Sequence, residues 1–101
     1  MKHNRHVICA NGFSMSVQAN ESAYCAPRVD EAERYHAVEV GFPSRNEPLL
    51  EPYQDDESKH MTNSVFGYVP ASVVSLILIK HGGMIEGELP VGIPVIKPRE
   101  G

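Results

Sequence analysis

The chain has 101 residues, 42% hydrophobic and 22% charged, with a formal net charge of -4. That length bounds a single domain, the apolar content excludes a disordered tail, and the acidic balance excludes direct nucleic-acid binding through a dominant phosphate-neutralising patch. Cys9 and Cys25 are too few for a disulfide scaffold, and the opening MKHNRHVICANG lacks the sustained apolar run of a signal peptide, so free thiols and a cytoplasmic location are expected.

The first predicted element is a hairpin over residues 6–19. His6–Ala10 and Phe13–Ala19 flank Asn11-Gly12, the pair favoured at the two positive-φ positions of a two-residue type I′ turn. Counting from that turn pairs Ala10 with Phe13 and Ile8 with Met15. One face is then Ile8, Ala10, Phe13, Met15 and Val17; the other is Val7, Cys9, Ser14, Ser16 and Gln18. The first face covers a core, and the second is small and polar, as an open antiparallel sheet shows to solvent or to a ligand.

YHAVEVGF at 35–42 continues the alternation as a third strand. Residues 43–63 hold Pro43, Pro48, Pro52 and the acidic run QDDES, and read as a long loop with room for a short strand in EPLLEPY. SVFGYV at 64–69 is a fourth strand, with Gly67 marking a close approach by another backbone or side chain.

A helix is expected over 70–81, opened by Pro70 and stopped by Gly82-Gly83. Val73, Val74, Ile77 and His81 form its stripe, while Leu76, Leu78 and Ile79 widen the apolar surface almost all round. Its longest apolar run, VVSLILI at 73–79, is far short of the roughly 20 residues a membrane span requires. The tail 89–101 carries prolines at 90, 94 and 98, so it runs extended, its apolar residues packing across the domain or onto a second copy of the chain in a homodimer. The fold class is therefore α+β: an antiparallel sheet of about four strands, one helix packed on it and an extended C-terminal arm.

No phosphate-cradling, dinucleotide or nucleophile-elbow motif is present, and no cofactor is called for. A catalytic Cys25 would need a base, and none of the five histidines sits in a recognised pairing with it. His3 and His6 with Cys9 and Cys25 match no standard zinc spacing. Glu39 has no partner carboxylate on the sheet and reads as a strand glutamate. The residues point instead to binding. Ser14, Ser16 and Gln18 offer neutral hydrogen-bonding groups, Tyr24 and Tyr35 flat faces, Arg28 a bidentate grip, and Asp55, Asp56 and Glu57 an acidic surface for a basic partner.

Four phrases taken together, CANGFSMSVQANESAYCAPR, AVEVGFPS, VFGYVP and IKHGG, resemble a family of small proteins encoded by bacteriophages, prophages and other mobile elements. The resemblance brings no catalytic residues with it. It implies a counter-defence protein that inhibits a bacterial immune protein, such as a CRISPR–Cas effector, by binding it. The alternative it implies is a sponge for a small nucleotide immune signal, with tyrosine on the base and arginine on the phosphate.

Overall fold

Five strands form one sheet in the order β4-β3-β2-β1-β5: β1 Val7–Cys9, β2 Ser14–Gln18, β3 Ala37–Gly41, β4 Val65–Pro70 and β5 Met84–Glu86. Every neighbouring pair is antiparallel. Among the described residues a single α-helix, α1, spans Ala71–Lys80 between β4 and β5, so the α+β class stands with one more strand than the sequence suggested. The computed structural model describes residues 3–99; residues 100 and 101 of the predicted tail lie outside the described residues.

The hairpin falls where Asn11-Gly12 placed it, but its register is shifted by one. Val7 pairs with Met15 and Ile8 with Ser14. The loop has three residues, Ala10 to Gly12: the Gly12 N–H donates to Cys9 O at 2.9 Å, the Cys9 N–H donates to Phe13 O at 2.8 Å, and Gly12 takes φ +90. This is a type I turn closed by a left-handed glycine. Consequently Val7 and Cys9, not Ile8 and Ala10, join Phe13, Met15 and Val17 on the core face, all fully buried.

Val38 and Val40 of β3 and Phe66 and Val69 of β4 extend that face, and Val74, Ile77 and Leu78 of α1 cover it. Each such side chain contributes roughly 1.5–3 kcal/mol through burial. Pro70 is the residue before the helix, with extended ψ 148, and the last of β4, so it caps α1 from outside. Leu76 and Ile79 stay 52% and 60% exposed. The helix is thus apolar on its outer face as well.

Residues 43–63 form no strand. Instead Pro48–Tyr53 and Met61–Asn63 make two short 3-10 helices, and Leu50 from the first is fully buried in the core. The extended arm folds back on its own chain: the Tyr35 N–H donates to Val91 O, the Met84 N–H donates to Ile96 O, both at 2.8 Å, and Ile93 is buried.

Candidate functional site

Between β3 and β4 the register passes from Val38 opposite Val69 to Val40 opposite Phe66. Glu39 alone therefore faces both Gly67 and Tyr68, a bulge that holds Tyr68 at φ +53. A bulky residue there carries backbone strain of order 1 kcal/mol or more, and the bulge turns its ring outward, 50% exposed.

The loop after β2 lays Tyr24 over this bulge. The Tyr24 N–H donates to Glu39 Oε2 at 2.9 Å, and Tyr24 O accepts from the Tyr68 N–H at 2.9 Å. A Cβ on Gly67 would stand 3.1 Å from the Tyr24 Cβ, so glycine there is what admits the tyrosine. The two rings lie 6.2 Å apart and tilted by 38°, with the Arg28 guanidinium 5.3 Å over the Tyr24 ring. Arg28 Nη2 also donates to Ser22 O at 3.3 Å. The loop is stiff because Asn20 Oδ1 accepts from the Ser22 and Ala23 N–H groups and the buried Cys25 Sγ donates to Asn20 O at 3.2 Å. The result is an exposed Tyr24–Tyr68–Arg28 cluster on a rigid base.

The chain matches no protein-family model, no curated protein and no solved structure.

Of the residues singled out by sequence, Tyr24 and Arg28 meet. Ser16 and Gln18 do not join them on a solvated face. Both are buried under Asn4: Gln18 Oε1 accepts from the Asn4 N–H at 2.7 Å, and Gln18 Nε2 donates to Asn4 O and Ser16 Oγ. Their polar groups are spent inside the protein. Ser14 is half-buried at the other end, its N–H donating to Ser44 Oγ at 2.9 Å and its carbonyl accepting from the Ser44 N–H at 2.8 Å. Tyr35 is buried too, its hydroxyl donating to Val29 O at 2.8 Å, so it presents no free face.

Asp55, Asp56 and Glu57 sit in a loop closed by Gln54, whose Nε2 donates to Asp56 O, Lys59 O and Ser64 Oγ. The Ser58 hydroxyl and N–H hold the Asp56 carboxyl below its usual range. Asp55 N–H donates to Val65 O, which places this acidic loop along the outer edge of β4, the strand that also carries Tyr68.

Cys9 and Cys25 are both buried free thiols, and burial pushes the Cys9 thiol up. Neither is presented as a nucleophile. His3 and His6 are exposed, and among the described residues no three His, Cys, Asp or Glu side chains gather to hold a metal ion.

Two features were missed by sequence reasoning. The first is a buried polar hub. Glu47, fully inaccessible, accepts from His81 Nε2 at 2.6 Å, from Lys80 Nζ at 2.9 Å and from the Leu49 N–H at 2.9 Å. Burial pushes its carboxyl up, but the Leu49 N–H, Lys80 and His81 together outweigh that and hold it below the usual value. Asn11 Oδ1 is taken by the Phe13 N–H, so Asn11 Nδ2 faces His81 Nδ1 at 2.9 Å and makes that nitrogen the acceptor; Nε2 then carries the proton donated to Glu47. Phe13 stacks on the imidazole at 4.0 Å. With both ring nitrogens engaged, the hub ties the hairpin tip, the Pro48 turn and the end of α1 together.

The second is a cavity of about 500 Å³ between the end of β2, the loop at Asp30–Ala32 and the arm. Asn4, Asn20, Asp30 and Glu31 supply its polar groups; Tyr35, Leu89 and Val91 supply apolar wall. Only long-range folding brings Asn4 beside Asn20 and the arm, so no local pattern announces it.

Proposed function

We propose that the chain works by binding, docking on a bacterial immune protein in the host cytoplasm through the Tyr24–Tyr68–Arg28 surface and so countering defence on behalf of a mobile element. The observation that carries the reading is the exposed tyrosine pair with arginine laid over it, held on a strained bulge by Glu39 and Gly67. Tyrosine and arginine are the residue types that dominate binding energy at protein interfaces, and rigid anchors lose little entropy on docking. The acidic loop on the same edge strand supplies charge complementarity to a basic nucleic-acid channel. The choice of an immune protein as partner rests on the resemblance to mobile-element proteins.

A nucleotide sponge using Tyr24 and Arg28 fits the geometry less well, because Arg28 already covers the ring face on which a base would stack. Affinity capture from lysates of cells carrying an immune system tests the protein reading. The native chain is expected to retain an immune protein that the Tyr24→Ala/Tyr68→Ala variant loses. The same proteins retained by both baits would contradict it, and calorimetric heat with a cyclic nucleotide would favour the sponge.

A further inference from the structure

We infer that the cavity between the β2 end and the C-terminal arm is a binding site for a small organic cation, an ammonium set beside an amide, distinct from the tyrosine surface. Asn4 and Asn20 are 6% and 7% exposed, and both line this cavity. Asn4 spends its amide nitrogen on Val17 O, and among the described residues nothing donates to its Oδ1. Asn20 spends its Oδ1 on the Ser22 and Ala23 N–H groups, and among the described residues nothing accepts from its Nδ2. Among the described residues no side-chain nitrogen or oxygen is sealed from solvent without a partner, so both free atoms open onto solvent, and the solvent space these two residues share is the cavity. One free acceptor and one free donor, each on a nine-tenths buried side chain, match the two edges of a ligand amide.

The remaining polar groups are acidic. Asp30 gives one oxygen to the Glu21 N–H and keeps the other, and Glu31, held at φ +52, has no partner among the described residues. Among the described residues neither forms an ion pair, so the cavity carries two carboxylates with no described cation paired to them. Two carboxylates beside a partly apolar wall favour a positive group on an apolar body. Phosphate-bearing ligands are disfavoured by the same charges. The volume lies within the range of small-molecule sites. Tyr35 and Val91 are pinned to each other by the Tyr35 N–H to Val91 O bond, so that wall is preformed.

L-Phenylalaninamide has this chemistry: an α-ammonium, an amide with one acceptor and one donor edge, and an apolar ring. The test is a titration of the 15N-labelled chain with it, followed by amide chemical shifts, including the Asn4 and Asn20 side-chain signals. A tripeptide amide with the same amino-terminal residue distinguishes a free amino amide from a peptide end as the source. Expected are shifts confined to the cavity residues, with affinity lower by about tenfold or more for uncharged 3-phenylpropanamide and for the Asp30→Asn/Glu31→Gln variant, since each loses a charge-assisted hydrogen bond. Asp30→Asn keeps the oxygen that accepts from Glu21, so the loop should stay folded. No shifts at the cavity, or equal binding of the uncharged analogue, or equal binding by a natively folded variant, would each overturn the inference.

Discussion

Replacing Glu47 by glutamine changes almost no volume and removes one charge from the buried hub, so it isolates what that charge does. The glutamine oxygen can still accept from the Leu49 N–H and Lys80, the two partners that share Glu47 Oε2. Its amide then points at His81 Nε2, which carries a proton because Asn11 Nδ2 occupies the other ring nitrogen. Two donors face each other in a site almost closed to water. Turning the imidazole tautomer only moves the conflict to Asn11, whose oxygen is held by Phe13. The lost charge-assisted bond and the unsatisfied buried donor cost about 2–3 kcal/mol, with little added for Lys80 because its half-exposed ammonium regains water. For a domain of this size that lowers Tm by on the order of 10–20 °C, measured by thermal unfolding at neutral pH. The difference should itself depend on pH. The Glu47 pKa is lowered in the folded chain, so its stabilisation is complete above the unfolded value near 4.5 and is lost as pH falls through the lower native value. Glu47→Gln melting within a couple of degrees of the native chain at neutral pH would refute this reasoning.

Three further outcomes follow from the packing. Gln18→Ala should cost about 2–4 kcal/mol in chemical denaturation, because it leaves the buried Asn4 N–H unpaired; a neutral result would return Gln18 to the candidate ligand groups. Ile93→Ala should cost about 2–4 kcal/mol, independent of protein concentration, because Ile93 packs on its own chain; a concentration-dependent melting point would mean that the arm crosses to a second copy. Alkylation of Cys9 and Cys25 by iodoacetamide should be slow in the native chain and fast in denaturant, and rapid native labelling of either would reopen the thiol chemistry.

The elements were readable where the pattern was unambiguous. FSMSVQ alternates cleanly, and its core face came out as Phe13, Met15 and Val17. VICA is apolar at every position, so alternation could not decide its face, and Asn-Gly closes two-residue and three-residue loops alike; the turn was found and the register missed by one. Three-residue β5 lies below the length at which periodicity speaks, and the Pro48 turn is built by a carboxylate cap whose other partners stand at 80 and 81. Gly67 did announce the close approach that Tyr24 makes. That Tyr24 and Arg28 share one loop was legible, but that Tyr68 stands beside them was not, because its exposure comes from a bulge set by pairing with β3. Asn4 and Asn20 were hidden for the same reason as the hub: their partners are distant in sequence.

The proposed function has the tyrosine surface block an immune protein. Its most direct test is phage plating on bacteria that carry a defined immune system, CRISPR–Cas types among them, and express either the native chain or the Tyr24→Ala/Tyr68→Ala variant. The native chain is expected to restore plating against at least one system, and the variant, folded and equally abundant, is expected to lose that effect. Full restoration by the variant, or none by the native chain against any system, would contradict it.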